Sequence, residues 1–268
     1  MSGKYSIKPI GEIKRLNNKQ SDVSGLTPNA IVEVFPEYSE AILTVEQNSH
    51  LWILTWFHLA NRDTLIVKPS RNNPALPSFG VFGIRAPDRP NPIGMYLVQL
   101  VKVENNLLYV TNIDAVDGTP VIDIKPYYEN DIVFSPRTPN IKPVYREKLI
   151  KLFFKQAIAH HQEECPGLFM GVRMAVLAEE IFGHINSPEL GLLVEGSPCL
   201  ADTLQGLSRA RLANPSRFRF EYSPSPGQST WNRKGELLKI SALRQINHKE
   251  FWELPDHEIM KYSLPQRS

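Results

Sequence analysis

The chain has 268 residues, of which 42% are hydrophobic, so it can bury a full core in one or two domains. Its net charge of +2 gives no overall electrostatic argument for a nucleic-acid partner, and such recognition must come from local patches. The absence of a long apolar run and of a leader-like N-terminal segment predicts a cytoplasmic protein with no membrane span. The two cysteines could form one disulfide, but in that compartment reduced thiols or metal ligands are favoured.

Short β-favouring segments separated by turn residues fill the first half of the chain. They are YSIKPIGEI, AIVEVF, LWILTWFH, TLIVKP, GVFGIR, MYLVQLVKV, LLYVTNI and VIDI. MYLVQLVKV and LLYVTNI are predicted to form a hairpin around Glu104-Asn105-Asn106. This succession of short strands predicts an all-β barrel or sandwich.

The second half has a different pattern, and a proline-rich linker over residues 130–145 precedes it. Apolar periodicity predicts helices over 146–161, 167–182 and 201–212, followed by a half-buried strand over 217–223 in which arginine and phenylalanine alternate. We therefore predict an α+β chain of two domains, residues 1–140 and residues 141–268.

The first candidate site comes from two motifs, GVFGIRAPDRPNPIG over 80–94 and IDAVDGTPVIDIKPY over 113–127. Glycine and proline make the first motif rigid and non-helical. The second surrounds the Gly118-Thr119-Pro120 turn with charged residues at strand ends, where ligands often bind. An isolated DGTP turn is typical of a solvated rim. The two motifs together favour a shaped ligand site.

These motifs, with SHLWILTWFH over 49–58 and IKPIGEI over 7–13, resemble the TrmO/TsaA family of tRNA methyltransferases across residues 5–130. The resemblance implies a small β-barrel that binds S-adenosylmethionine, is dimeric, and methylates N6 of threonylcarbamoyladenosine at tRNA position 37. The cofactor-binding residues that it implies are His58, Arg85, Arg89, Pro90, Asn91, Asp114, Asp117, Thr119, Lys125 and Tyr127.

A methyl sulfonium is already activated, so transfer chiefly requires orientation of the nucleophile. For a weakly nucleophilic nitrogen, Asp117 or Asp123 is predicted to orient the acceptor or take its proton. The sulfonium would suit an aromatic ring, such as that of Phe57, Tyr127 or Phe82. Phe82, however, is more typical of a core residue, and His58 of a structural strand end.

Candidate substrate-binding residues lie in both halves. Arg85 and Lys125 would contact either the cofactor carboxylate or an RNA phosphate. Arg209 and Arg211, with Arg217 and Arg219, would form a basic patch for a phosphate-bearing substrate, unless they are solvated surface residues.

A second candidate site involves Cys165 and Cys199, which stand at predicted helix starts where the helix dipole favours a thiolate. Histidines and glutamates at 160–164 would complete a zinc-like site. The alternative is that each cysteine is a small buried apolar residue.

Residues 146–225 are also similar to the FmdE family, which takes its name from formylmethanofuran dehydrogenase, through HQEECPGLFMGVRMAVLAEEIFG and EGSPCLADTLQGLSRARL. Glu163 replaces a family histidine. The resemblance implies an FmdE-like α+β domain in which zinc or another metal is held by His161, Cys165 and Cys199; Asp202 and Gln205 also match the family pattern.

Three functional hypotheses follow. The first is an S-adenosylmethionine-dependent tRNA methyltransferase. The second is a methyltransferase of the same class that acts on a small molecule or a metal-bound thiol. The third is a non-enzymatic protein that binds the cofactor or responds to a metal.

Overall fold

The computed structural model describes residues 6–16, 28–71, 73–224 and 226–267, with the side chains of 264–267 excepted. The chain divides into two compact units, Met1–Ser70 with Ala75–Ile132, and Arg71–Pro74 with Val133–Ser268. The predicted mixture of helices and strands is confirmed. Within the described ranges, no helix has both the length and the apolar character needed to cross a bilayer.

The first unit is built on strands. They are β1 (Gly11–Arg15), β2 (Ala30–Val34), β3 (His50–Trp56), β4 (Ile66–Val67), β5 (Phe79–Gly80), β6 (Ile93–Glu104), β7 (Leu107–Val110) and β8 (Pro120–Pro126). Six of these pair in the order β1-β2-β7-β6-β3-β8, and β8 pairs again with β1, so the sheet closes into a barrel. Strands β4 and β5 form a separate two-stranded ribbon.

Alternation along β3 separates the inside of the barrel from its outside. Leu51, Ile53 and Thr55 are buried, whereas the residues between them are half-buried. The interior is filled by branched apolar side chains, as the strand pattern predicts; they include Ile13, Val32, Ile53, Val98, Leu108 and Val121.

The prediction of a strand over GVFGIR is wrong beyond Gly80, because residues 81–85 form turns. The Arg89 guanidinium donates hydrogen bonds to the carbonyls of Val81, Ile84 and Ala86, which bends this segment around one side chain. The expectation that Phe82 belongs to the core is also wrong, since Phe82 is 81% exposed.

The second unit combines helices with one mixed sheet. Its helices are α1 (Arg146–His161), α2 (Pro166–Phe182), α3 (Pro198–Ser208), α4 (His248–Glu253) and α5 (Asp256–Ile259). Its strands are β9 (Leu190–Gly196), β10 (Phe218–Tyr222), β11 (Gln228–Arg233), β12 (Glu236–Ala242) and β13 (Met260–Arg267). They lie in the order β10-β9-β11-β12-β13, with β10 and β9 parallel.

The first two predicted helices are confirmed as α1 and α2, but α3 lies earlier in the chain than predicted. The Ser197 hydroxyl accepts a hydrogen bond from Leu200 N–H at 3.2 Å, and Pro198 occupies the first helical position. Arg209 ends the helix in the left-handed conformation, with φ of 53°. Cys199 therefore lies inside the first turn of α3 rather than before it.

Helix α2 is the centre of this unit, because residues on every side of it are buried. Its Arg173 is buried and fully engaged: the guanidinium pairs with Asp256 and donates to the carbonyls of Phe251 and Leu254 at 2.8 and 2.9 Å. These bonds satisfy a buried charge and attach α4 and α5 to α2.

Candidate functional site

Strand pairing brings most of the predicted cofactor-binding residues to one end of the barrel. Thr55 of β3 lies opposite Val121 of β8, and Trp56 lies opposite Ile93 of β6. The end of β3, the start of β6 and the start of β8 are therefore neighbours. We call this region the turn end, and its predicted site residues are His58, Arg89, Pro90, Asn91, Asp114, Asp117 and Thr119.

The 117–120 turn is fixed against β1 by backbone bonds. Gly118 N–H donates to the carbonyl of Ile13 at 2.8 Å, and Ile13 N–H donates to the carbonyl of Thr119 at 2.9 Å. Arg15 N–H donates to Oδ1 of Asp117 at 2.7 Å. Gly118 has φ of +73°, which glycine adopts without strain. The Asp117 carboxylate is thus exposed but held in a defined position.

Three residues that sequence reasoning missed also contribute to this end of the barrel. Burial of Tyr96, followed by the negative charge of the nearby Asp114 carboxylate, raises the pKa of Tyr96 above its usual value. The Arg15 guanidinium and the Asn29 amide both donate to the carbonyl of Ile113, the latter at 2.7 Å. Arg15 and Tyr96 lie on separate strands and Asn29 directly precedes a third, so no local spacing in the sequence could have grouped them.

Hydrogen bonds also hold the loop before β6 in place. Asn61 N–H donates to Oδ1 of Asp88 at 2.9 Å, and Arg62 Nε donates to the carbonyl of Pro90 at 3.2 Å. Arg89 is committed to the loop's own carbonyls, as described above. By contrast, Arg85 and His58 are exposed and form no hydrogen bond or ion pair with the residues that the structure describes. They are therefore the side chains of this region best placed to meet a ligand.

The remaining predicted residues lie further along β8, away from the turn end. Lys125 Nζ pairs with Asp123 at 2.8 Å, and the Tyr127 ring packs on that of Trp52 with centroids 5.8 Å apart. Strand β8 separates Thr119 from Tyr127 by roughly 26 Å at the usual rise per residue. The predicted cofactor set therefore divides into two groups within a single chain.

The outer face of the barrel beside this second group is apolar. Facing pairs of β3 and β6 form it, and they are Trp52 with Leu97, Leu54 with Met95, and Trp56 with Ile93. Met95 is 45% exposed, and its neighbours Ile93 and Leu97 are each 38% exposed. We call these six residues the outer apolar patch. Patches of this kind typically mark interaction sites.

The second candidate site lies where α1 ends and where α2 and α3 begin. His161 is the last residue of α1, Cys165 is the N-cap of α2, and Cys199 is in the first turn of α3. One ligand atom from each lies within 4.8 Å of the others. The helix starts can meet because residue 167 is glycine: a Cβ there would lie 2.7 Å from the Cβ of Cys199.

The donor set fits zinc. Nε2 of His161 lies 3.4 Å from Sγ of Cys165, close to the roughly 3.6 Å edge expected between nitrogen and sulfur ligands of tetrahedral zinc. Nδ1 of His161 bonds to Oδ2 of Asp202 at 2.7 Å, which leaves Nε2 free to ligate. The other oxygen of Asp202 bonds to His160 at 3.1 Å. Asp202 therefore orients both histidines.

Two positions of the family motif, the substituted Glu163 and the matched Gln205, do not add a ligand. Glu163 is outside the cluster of three donors within the described chain, although its charge acts on Cys199. Gln205 directs its amide to the carbonyl of Ala210 at 3.4 Å.

The pKa of the Cys199 thiol is raised by burial and then by the proximity of Cys165 and Glu163. This direction is opposite to the thiolate-favouring effect expected from the helix start, because desolvation and neighbouring negative charge outweigh the dipole. A bound cation would reverse the balance by stabilising the thiolate.

The predicted basic patch is reduced by the contacts of its arginines. Arg209 is half-buried over the Phe134 ring, and Arg217 donates to the carbonyls of Ser187, Leu190 and Arg209. Arg211 and Arg219 remain exposed, and Arg211 also bonds to the Ser135 hydroxyl at 3.3 Å. The patch therefore presents fewer available cations than the sequence predicts.

Comparisons with known proteins identify two domains. Residues 18–131 match the model of the tRNA-methyltransferase O N-terminal domain, and residues 160–256 match the model described as FmdE, Molybdenum formylmethanofuran dehydrogenase operon.

Curated relatives match mainly the first of these domains. A probable S-adenosyl-L-methionine-binding protein of Archaeoglobus fulgidus is 34% identical over 241 residues, or 86% of this chain, which spans 65% of that relative. One of the same description from Methanothermobacter thermautotrophicus is 41% identical over 46% of this chain and 90% of its own length. The tRNA (adenine(37)-N6)-methyltransferase of Rattus norvegicus is 43% identical over 40% of this chain and 25% of its own.

Proposed function

We propose that this chain, which belongs to the family of the tRNA-methyltransferase O N-terminal domain, is an S-adenosylmethionine-dependent methyltransferase. We further propose that its acceptor is N6 of threonylcarbamoyladenosine at position 37 of tRNA. The rat relative named for methylating adenine 37 of tRNA supports this choice of acceptor. The observation that carries the proposal is the grouping of exposed and fixed polar side chains at the turn end of the barrel.

The residues at the turn end suit a sulfonium cofactor and a nitrogen acceptor. S-adenosylmethionine supplies a methyl group on a positively charged sulfur, which carboxylates and aromatic faces stabilise. Asp114 and Asp117 provide exposed negative charge here, and Phe57 provides a half-buried ring. Arg85 is free to pair with a carboxylate or a phosphate.

Asp117 is the better candidate than Asp123 for the group that receives the proton of the acceptor nitrogen. Its carboxylate is exposed and held by Arg15 N–H at the turn end. That of Asp123 is already paired with Lys125, further along β8. Arg89 acts on the site indirectly, because its guanidinium shapes the loop that carries Arg85.

The experiment that tests this proposal is calorimetric titration with S-adenosylmethionine, followed by labelled-methyl transfer to tRNA that lacks this methylation. We expect saturable binding and transfer, with affinity for tRNA falling steeply between low and high salt because phosphate contacts release counterions. Binding without transfer to tRNA would contradict the proposed acceptor. Loss of cofactor binding as well would contradict the proposed class of enzyme.

A second acceptor is favoured by one observation: the cluster of His161, Cys165 and Cys199 supplies three donors, which leaves a tetrahedral metal one open position. We propose that these residues hold zinc. A metal-bound thiol at the open position would be an activated methyl acceptor. Transfer to a small thiol, lost in the zinc-free protein, would select this alternative; cofactor binding without any transfer would indicate a sensor.

We also propose that the protein is a homodimer formed through the outer apolar patch. The division of the predicted cofactor residues into two groups supports this arrangement, since a second copy of the chain can supply Lys125 and Tyr127 to a cofactor held at the turn end. A dimer contact on this face would also cover the exposed apolar side chains of β6.

Replacing Met95 with aspartate is expected to convert the dimer into monomers, because it places an unpaired charge at the centre of the patch. Light scattering coupled to size-exclusion chromatography measures the mass. The matched control is Leu243→Asp, which changes an apolar side chain that is 47% exposed and belongs to the second unit. A dimer that persists in Met95→Asp, or dissociates equally in Leu243→Asp, would exclude this interface.

A further inference from the structure

We propose that Cys165 and Cys199 form a reversible disulfide, which makes this pair a site of oxidation by peroxides that competes with metal binding. Both thiols are free and partly exposed, so a small oxidant can reach them. Their sulfur atoms lie within 4.8 Å of each other. A disulfide joins sulfurs at about 2.05 Å, so the remaining approach is less than about 3 Å.

The two helix starts that carry the cysteines are already in contact. A Cβ on Gly167 would lie 2.7 Å from the Cβ of Cys199 and 2.9 Å from the nitrogen of Leu200, so the first turns of α2 and α3 are in direct contact. Cys165 is the N-cap of one helix, and Cys199 is in the first turn of the other. In the proposed disulfide, the two side chains rotate toward each other between helix starts that are already in contact.

The chemistry needs only a peroxide as oxidant. One thiolate attacks the peroxide, the O–O bond breaks, and a sulfenic acid and hydroxide form. The second thiolate then attacks the sulfenic sulfur, hydroxide leaves, and the S–S bond forms. Overall the two thiols lose two electrons and two protons, and hydrogen peroxide becomes two molecules of water.

Oxidation and metal binding exclude each other at this site. A disulfide removes both thiolates, which are two of the three donors in the cluster. Only His161 would remain to hold a metal. Neither part of this inference depends on methyl transfer: the disulfide rests on the geometry of the two thiols, and the competition rests on the zinc site proposed above.

The chain contains only two cysteines, which makes the test unambiguous, because any disulfide within one chain must join Cys165 to Cys199. The full chain is treated with a chelator and then with equimolar hydrogen peroxide. We expect its intact mass to fall by roughly 2 Da and both thiols to stop reacting with a maleimide. Dithiothreitol is expected to restore both thiols.

Zinc-saturated protein is expected to form the disulfide at least about tenfold more slowly, because zinc holds both thiolates. The control variant His161→Ala keeps both thiols but loses one donor, so zinc is expected to protect it much less. Mass gains of about 16 or 32 Da in the metal-free protein, without a loss of 2 Da, would overturn the disulfide. Disulfides found only between chains would also overturn the proposed disulfide. Equal rates of disulfide formation with and without zinc would overturn the competition with metal binding.

Discussion

Replacing Asp117 with asparagine is expected to slow methyl transfer by about 100-fold or more, while the fold persists. Asparagine keeps an oxygen that can accept the hydrogen bond from Arg15 N–H, so the turn remains attached to β1. The variant loses the negative charge that receives the acceptor's proton, and general-base catalysis typically contributes about 10²-fold or more. Single-turnover transfer at saturating cofactor measures the effect, and thermal unfolding checks the fold.

The matched control is Asp123→Asn, which removes the other candidate carboxylate from the same strand-and-turn segment. Asp123 is paired with Lys125 at a partly exposed position, and such surface pairs contribute little. We expect this variant to transfer methyl groups at nearly the original rate. Slow transfer by Asp123→Asn and normal transfer by Asp117→Asn would place the chemistry away from the turn end.

The sequence predicts those parts of the fold that local patterns determine. The helices α1 and α2 follow from apolar periodicity, and α2 also from Pro166 after an N-cap residue. The segment GVFGIR was misjudged because the guanidinium of Arg89, in the same loop, gathers carbonyls of residues 81–86 into turns. Bonds from a side chain to the backbone have no signature in the β-propensity of a short segment.

In the candidate sites too, single turns and motifs were predictable from the sequence, whereas contacts between separate segments were not. The turn around Gly118 was predictable from its residues. The structure adds that hydrogen bonds with the backbone of Ile13 and Arg15 attach this turn to β1. The division of the cofactor set was not predictable, because it depends on the length of β8. Likewise, three metal donors were predicted from motif matches, but the orienting bonds of Asp202 appear only when α1 and α3 are packed.

Replacing Asp202 with alanine is expected to weaken zinc binding by about 10- to 100-fold, the usual effect of removing a carboxylate that orients a ligating histidine. In this protein the carboxylate accepts from Nδ1 of His161 and so keeps Nε2 directed at Cys165. Without it, the imidazole loses both its orientation and the tautomer that ligates the metal. Competition with a chromogenic zinc chelator measures the dissociation constant.

The control is Glu164→Gln, which changes a carboxylate adjacent to Cys165 that bonds to Nδ1 of His248 at 2.7 Å instead of to His161. Its zinc affinity is expected to stay close to that of the unmodified protein. The double variant Cys165→Ser with Cys199→Ser removes two of the three donors and is expected to lose zinc binding entirely. If the double variant still binds zinc tightly, the metal lies elsewhere. Equal losses of zinc affinity in Asp202→Ala and Glu164→Gln would show a general effect of charge rather than orientation of His161.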